Sequence, residues 1–133
     1  MLVDSSVWID HFRGIATPQT DFLRDALSSL GQNVLTGDLI LAEVLRGFSE
    51  IDARRTQSAF EKLECVELAG CELARKAARN YRALRAKGIT VHSTIDCLIA
   101  TYCIQARTPL LHNDRDFDPF AEHLGLKVVP PIA

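Results

Sequence analysis

The first ten residues of this chain read MLVDSSVWID (residues 1–10), and they set the pattern of the fold. Residues 1–3 form an apolar run short enough for a buried strand, and Ser5 or Ser6 can cap the helix that follows. Asp4 lies between the two elements, at the carboxyl end of the predicted strand. A buried strand that leads directly into a helix is typical of α/β folds with a parallel sheet. Because ligands bind outside the carboxyl ends of such strands, we expect Asp4 at a functional edge.

The remaining sequence repeats this alternation of short apolar runs and helical patterns. Further strands are predicted at residues 34–35, 65–68, 109–111 and 127–129. Helices are predicted at residues 5–12, 18–30, 38–47, 54–63, 71–87, 93–105 and 119–124, with Asp38 and Ser93 as caps. The pattern indicates one α/β domain over residues 1–133, with a mainly parallel sheet flanked by helices.

The composition is that of a globular protein. Its 133 residues are 47% hydrophobic and 24% charged, and no stretch reaches the roughly 20 apolar residues of a membrane span. No signal peptide is readable, so a cytoplasmic location is expected. Because no C-x-x-C pair is present, the cysteines are expected to be reduced, buried residues rather than disulfides or a zinc site. They are Cys65, Cys71, Cys97 and Cys103.

Charge is unevenly distributed along the chain. The formal net charge of −2 does not favour strong non-specific binding to nucleic acid, but residues 75–87 contain six basic side chains and no acid. Within this segment Arg75, Arg79 and Arg82 share one face of the predicted helix. Such a stripe is usually a solvated helix face. It could instead guide RNA phosphates, and both interpretations stay open.

Acidic residues stand in separate apolar settings, each near the edge of a predicted element. They are Asp4, Glu43, Asp96 and Asp114, with Asp116 beside the last. Carboxylates are rarely buried unless they are paired or bind a metal, and their oxygens suit Mg²⁺ or Mn²⁺. Asp4 and the 114–116 pair follow the first and fourth strands, and they would meet if those strands are neighbours. The set therefore predicts a divalent-cation site capable of phosphodiester hydrolysis.

Each acid also has a purely structural explanation. Asp4 can cap the first helix, Asp96 stands three residues after a serine as in a capping box, and the 114–116 pair can form a turn. Glu43 can pair with Arg46, three residues further along its helix. Any one of these explanations is acceptable alone, but all of them would have to hold at once.

Four segments resemble, in order and spacing, the motifs of PIN-domain ribonucleases of the VapC toxin type. They are DSSVWID at residues 4–10, LAEVLRG at 41–47, TIDCLIA at 94–100 and HNDRDF at 112–117. The resemblance covers essentially the whole chain. One departure is His112, which stands where a threonine or serine is frequent in the family, so a supporting hydrogen bond is in question.

The resemblance implies a PIN-like three-layer fold with a five-stranded, mainly parallel sheet in the order 3-2-1-4-5. It implies an Mg²⁺- or Mn²⁺-dependent endoribonuclease that acts on RNA as the toxin of a toxin–antitoxin pair. It further implies a cognate antitoxin that inhibits the enzyme, and a homodimer. Carried over residue by residue, it assigns catalysis and metal binding to Asp4, Glu43, Asp96 and Asp114, metal binding also to Asp116, and a supporting hydrogen bond to Ser6.

Two other functions are compatible with the residues. A phosphatase-like enzyme or phosphoacceptor domain could use Asp4, but the second aspartate that such phosphatases need two positions on is absent, and Lys127 is the only late lysine. A non-catalytic interaction domain would keep its acids for capping and solubility. The apolar N-terminal half is expected to form, in part, a groove for an antitoxin helix, with Trp8 in the core or lining that groove.

Overall fold

The computed structural model of the protein describes residues 1–29 and 33–129. The strands are β1 (Leu2–Val3), β2 (Leu35–Gly37), β3 (Glu64–Val66) and β4 (Leu110–Leu111). The helices are α1 (Ser5–Phe12), α2 (Pro18–Ser28), α3 (Asp38–Leu45), α4 (Glu50–Phe60), α5 (Cys71–Ala86), α6 (Thr94–Ala106) and α7 (Asp118–His123), with a 3₁₀ turn at Arg115–Phe117. No described helix has both the length and the apolar character that a bilayer crossing requires.

The strands pair in parallel in the order β3-β2-β1-β4. Val128 adds one parallel bridge to Leu110, on the side of β4 away from β1. The predicted order is therefore confirmed for the first four strands, whereas the fifth is reduced to this bridge within the described residues. Because β1 lies between β2 and β4, the ends of these strands carry Asp4, the start of α3 and the 112–116 loop to one edge of the sheet.

Helix starts follow from short polar residues next to apolar patterns. Thr17 and Thr20 form a reciprocal capping box around Pro18, at the start of α2. Ser93 caps α6 as predicted. The helix predicted at residues 54–63 instead spans Glu50–Phe60, because Ser49 accepts a hydrogen bond from the backbone N–H of Asp52 and caps it earlier.

The start of α3 differs from the prediction. Gly37, rather than Asp38, is the N-cap residue, and Asp38 is the first residue of the helix. The Asp38 Oδ1 atom accepts from the backbone N–H groups of Leu39 (2.9 Å) and Leu68 (2.7 Å), so this carboxylate ties the loop after β3 to α3. Gly37 is required here because a Cβ atom would collide with the Leu68 side chain.

The core lies between the sheet and its helices. Leu2, Val3, Leu110 and Leu111 of the two adjacent strands are completely buried. Trp8 is only 2% exposed. Its ring stacks on Phe12 at a centroid distance of 5.8 Å and packs edge-to-face with Phe60 at 4.7 Å, which makes it a core residue, the first of the two roles predicted for it.

The cysteines are all free, as predicted, but only half of them are buried. Cys97 and Cys103, both on α6, are buried, whereas Cys65 and Cys71 are exposed. The prediction of burial is wrong for the second pair because Cys65 lies on β3, at the edge of the sheet, and Cys71 is the first residue of α5.

Candidate metal centre

Asp4 is buried at the junction of β1 and α1 and is only half satisfied by hydrogen bonds. Its side chain is the N-cap of α1: Oδ2 accepts from the backbone N–H of Ser6 at 3.2 Å and from its hydroxyl at 2.6 Å. Oδ1 is buried and has no hydrogen-bond partner among residues 1–29 and 33–129. A buried carboxylate oxygen without a donor is costly, so this atom fits a role as a cation ligand.

Ser6 connects Asp4 to the loop that follows β4. While its hydroxyl donates to Asp4, its Oγ accepts from the backbone N–H of Asn113 at 3.3 Å. The backbone N–H of Asp4 also donates to the carbonyl of Leu111 at 2.9 Å. These contacts bring Asp4 and the 112–116 loop together, as expected if β1 and β4 are neighbours.

Asp96, Asp114 and Asp116 form the tightest acidic group in the described part of the chain. One carboxylate oxygen from each lies within 4.8 Å of the other two. Asp96 is 8% exposed in the first turn of α6, where its backbone N–H donates to Ser93 Oγ at 3.2 Å. Asp114 caps the 3₁₀ turn, since its Oδ1 accepts from the backbone N–H of Asp116 at 2.9 Å. Three hard oxygen atoms at this separation suit Mg²⁺ or Mn²⁺.

Glu43 approaches this group from α3 and is positioned by Ser5. The Ser5 hydroxyl donates to Glu43 Oε1 at 3.3 Å, across 38 residues of sequence. Burial raises the pKa of Glu43 most, and the charge of Asp4 raises it further, while Ser5 and Arg46 act in the opposite direction. Arg46 has the weakest of these effects on the pKa. An ion pair with Arg46 therefore does not account for the placement of the Glu43 carboxylate among apolar neighbours.

The charges of the other four predicted acids all act on Asp96. The pKa of Asp96 is raised from 3.8 to about 7, first by burial and then by the charges of Asp4, Asp114, Glu43 and Asp116. Burial is also the main cause of the raised pKa of Asp4, which its Ser6 bonds partly offset. Repulsion among clustered carboxylates is relieved when a cation binds between them, and the donor set therefore fits the predicted metal.

His112 takes a role that the sequence did not reveal. Its Nδ1 accepts a hydrogen bond from the backbone N–H of Asp114 at 3.1 Å, and its ring lies 4.9 Å from that of Phe117. Burial lowers the pKa of His112 most strongly, which favours the neutral ring that this acceptor role requires. The histidine thus supplies a supporting hydrogen bond at the position where a threonine or serine was expected.

The structural explanations of the acids are only partly correct. Asp4 and Asp114 do cap their helices, but each cap uses one carboxylate oxygen and leaves the other for a ligand. At the start of α6, the cap is the hydrogen bond that the backbone N–H of Asp96 donates to Ser93 Oγ, and it does not use the Asp96 carboxylate. Capping therefore coexists with the acidic cluster instead of replacing it.

The predicted arginine stripe lies on α5 and is not part of the acidic cluster. Arg75, Arg79 and Arg82 are exposed on α5.

The hydroxyl of Ser5 positions Glu43, and the sequence analysis did not assign it to the site. The Ser5–Ser6 pair directly after Asp4 was a usable signal.

Comparisons with known proteins identify the family of the chain. Residues 1–122 match the family model of the PIN domain. The chain is 30% identical, over 128 residues and 96% of each protein, to the VapC ribonuclease Mb1587 of Mycobacterium bovis and to ribonuclease VapC11 of Mycobacterium tuberculosis.

Solved structures share the fold at low sequence identity. VapBC2 from Rickettsia felis, bound to a promoter DNA fragment, matches with a TM-score of 0.73 and 16% identity over 96% of each chain. FitAcB from Neisseria gonorrhoeae matches with a TM-score of 0.72 and 16% identity, over 98% of this chain and 96% of that one.

Proposed function

Because this chain belongs to the PIN domain family, and within it to the VapC type, we propose that it is a divalent-metal-dependent endoribonuclease acting as the toxin of a toxin–antitoxin pair. The observation that carries the proposal is the close group of Asp96, Asp114 and Asp116, together with the charges of Asp4 and Glu43 that also act on Asp96. Their mutual repulsion contributes to the raised pKa of Asp96, and Asp4 contributes a buried oxygen without a donor. The ribonuclease names of the 30%-identical relatives support the choice of RNA as substrate.

The ligands of Mg²⁺ or Mn²⁺ in this proposal are Asp4, Glu43, Asp96, Asp114 and Asp116. When bound, such an ion lowers the pKa of a water molecule and offsets the charge that develops on the phosphate. The protein holds the carboxylate ligands in place through hydrogen bonds. Ser6 holds one oxygen of Asp4 and the 113 backbone, Ser5 holds Glu43, and His112 holds the backbone of Asp114. These bonds fix the carboxylates before substrate binds, which reduces the reorganisation that the reaction requires.

The decisive experiment is RNA cleavage by the purified chain, free of any partner, with Mn²⁺ or Mg²⁺ and with EDTA. Cleavage is expected only with the metal, and Asp96→Asn is expected to abolish it. Asp25→Asn, which removes an exposed carboxylate of α2, is the matched control and should leave cleavage unchanged. Cleavage that persists in EDTA would refute the metal-dependent mechanism.

Metal binding has a readout that does not depend on activity. Mn²⁺ should raise the melting temperature of the wild-type chain and of Asp25→Asn, because it binds the folded state. The same addition should have much less effect on Asp96→Asn. Equal stabilisation of Asp25→Asn and Asp96→Asn would mean that the ion binds at a site without Asp96.

An inhibitory protein partner is the second part of the proposal. The solved relatives include a toxin–antitoxin complex from Klebsiella pneumoniae, with a TM-score of 0.71 and 18% identity over 98% of this chain and 97% of that one. In this chain, the exposed large apolar side chains among the described residues are Ile15, Leu27 and Ile51, which lie on or beside α1, α2 and α4. A groove of about 570 Å³ lies between the end of α1 and the start of α4, with Phe12 and Phe48 among its lining residues.

These features fit an amphipathic antitoxin segment, whose apolar face would cover the exposed residues. Co-expression with the protein encoded directly upstream, if the gene has such a neighbour, should yield a complex that does not cleave RNA. Ile51→Glu should weaken the complex, whereas Ala86→Glu, on the exposed side of α5, should not. Failure to co-purify would remove this part of the proposal and leave the nuclease part intact.

Homodimerisation is the third part of the proposal. Light scattering of the purified chain tests it.

A phosphatase that uses Asp4 as nucleophile has little support. Asp4 is 2% exposed, and Oδ2 is held by two hydrogen bonds from Ser6. A non-catalytic interaction domain predicts that Asp96→Asn changes neither metal binding nor RNA integrity, so the experiments above also test that alternative.

A further inference from the structure

A second groove lies between α5 and α6, on the other side of α6 from the acidic cluster. It encloses about 430 Å³ and is lined by Ala78, Tyr81, Arg82 and Arg85 of α5, and by Thr94 and Leu98 of α6, among others. Small and apolar side chains form its floor, and two arginines stand at its edge.

The charge of this groove is opposite to that of the acidic cluster. Residues 75–87 carry six basic side chains and no acid, in a chain whose net charge is −2. Arg75, Arg79 and Arg82 form an exposed stripe along α5, about 100° around the helix from the Ala78–Tyr81–Arg85 side. The guanidinium of Arg85 also lies 5.6 Å from the centroid of the Tyr81 ring. The groove therefore combines an aromatic ring with a positively charged rim.

This combination matches a single-stranded nucleic acid better than a second copy of the chain. A two-fold symmetric contact through this groove would bring Arg82 and Arg85 close to their own copies, and like charges oppose such a contact. Single strands, in contrast, are bound by grooves that pair basic side chains with phosphates and aromatic rings with bases.

The position of the groove relates it to the catalytic edge. Thr94 lines the groove at the first turn of α6, and Asp96, two residues later, points to the opposite side of the same turn. The width of one helix, about 10 Å, separates the two surfaces. A strand that crosses the amino end of α6 would thus run from the carboxylates into the groove.

From this arrangement we infer that the α5–α6 groove binds the single-stranded segment of RNA next to the scissile phosphate, with Tyr81 against a base and Arg82 and Arg85 on phosphates. The inference rests on the proposed ribonuclease function, and it adds the part of the substrate that the acidic cluster does not contact.

The test is equilibrium binding of a fluorescein-labelled single-stranded RNA to the full chain in EDTA, measured by anisotropy across a range of KCl concentrations. Gel electrophoresis confirms that the RNA stays intact. Arg82→Gln/Arg85→Gln should weaken binding and reduce the slope of log K against log salt by about 1.4, because each phosphate contact with a single strand contributes about 0.7. Arg54→Gln/Arg55→Gln removes the same charge from exposed positions on α4 and should leave the slope unchanged.

The aromatic ring is tested separately from the charge. Tyr81→Leu should weaken binding about tenfold without changing the salt slope, and Tyr81→Phe should restore the affinity. Equal losses in the α4 and α5 double variants would mean that only net charge matters, and would overturn the inference. So would a wild-type chain that fails to bind the RNA at low salt.

Two further measurements keep this inference separate from the proposed function. If light scattering shows that Arg82→Gln/Arg85→Gln dissociates an oligomer while RNA affinity stays constant, the groove is an interface between copies, and the inference is wrong. If the wild type cleaves RNA and the α5 variants cleave it with unchanged KM, the inference fails and the nuclease assignment stands. If metal-dependent cleavage is absent but the groove variants still lose affinity, the proposed function fails instead.

Discussion

Two aspartates occupy equivalent places in the sheet and do different things. Asp4 follows β1 and Asp38 follows β2, the parallel strand beside it, and each stands where a strand leads into a helix. Asp38 Oδ1 is satisfied by the backbone N–H groups of Leu39 and Leu68. Asp4 has one oxygen held by Ser6 and the other buried without a donor.

The difference shows that the position of an acid at the end of a strand does not by itself indicate a functional site. What separates the two residues is the burial of the carboxylate oxygen that has no donor, and the presence of other charges beside it. A half-buried carboxylate that holds two backbone N–H groups stabilises a loop. A carboxylate with a buried oxygen short of a donor, beside like charges, is available to a cation.

Activity should separate the two aspartates most sharply. Asp4→Asn is expected to reduce RNA cleavage about 10²–10³-fold, the loss typical of removing one preorganised electrostatic group. Asp38→Asn should leave cleavage near the wild-type level, because an amide oxygen still accepts from Leu39 and Leu68. Initial rates in saturating Mn²⁺ are the measurement, and similar losses in both variants would contradict the comparison.

For stability, we expect the opposite order: a substitution at Asp38 should cost more than one at Asp4. Asp38→Ala removes the acceptor of two backbone N–H groups, one of them in the loop after β3, and should lower the free energy of unfolding by about 1–3 kcal/mol. Asp4→Asn relieves repulsion with Asp114 and should leave the metal-free chain as stable as the wild type or more so. Urea unfolding in EDTA measures both. A marked loss in Asp4→Asn would instead mean that its cap is its main contribution.

The pH dependence of stability should come from the acidic cluster. The folded-state pKa of Asp96, about 7, is higher than its ordinary value of 3.8, so the folded chain binds more protons than the unfolded chain between these values. The free energy of unfolding in EDTA should therefore fall as the pH rises from about 4 to about 7, and then level off with respect to this group.

Asp96→Asn should flatten that part of the profile, whereas Asp38→Asn should retain it. Melting temperatures collected in EDTA at several pH values test this expectation. Added Mn²⁺ should oppose the fall, because it binds the deprotonated carboxylates. A profile that is the same in wild type and Asp96→Asn would show that another group titrates.

Much of the fold could be predicted because its information is local. Short apolar runs that alternate with helical patterns indicated an α/β fold, and the resemblance to PIN-domain ribonucleases implied the strand order. The acids of the site were visible because each one interrupts an apolar setting. The fifth strand was overestimated: residues 127–129 are apolar enough to pair, but only Val128 bridges to β4. Its length depends on the neighbouring strand, and β4 itself has only two residues.

Other features depend on partners far away in sequence. Asp38 was taken for a helix cap, but its distinctive contact is with Leu68, 30 residues away. Ser5 was not assigned to the site because Glu43, its partner, is 38 residues away. His112 carries a hydrogen bond that depends on the path of the loop after β4. Sequence patterns identify which residues are unusual, whereas these contacts exist only after the chain has folded.

The two serines after Asp4 offer the smallest and most specific test of this distinction. Ser6 donates to Asp4 at 2.6 Å and accepts from Asn113, so Ser6→Ala removes a short bond to a ligand and a link to the 112–116 loop. Removing such an outer contact typically costs 10–100-fold in metal affinity or activity, and we expect about a tenfold increase in the Mn²⁺ concentration needed for half-maximal cleavage.

Ser5→Ala should have a smaller effect, because its bond to Glu43 is longer, at 3.3 Å, and is a single contact. Ser6→Thr, which keeps the Oγ atom, should recover most of the loss. If Ser5→Ala and Ser6→Ala were equally impaired, the unsatisfied Asp4 would not be the centre of the site. Glu43 would then be as important as Asp4, and a buried oxygen without a donor would not distinguish functional from structural acids in this sheet.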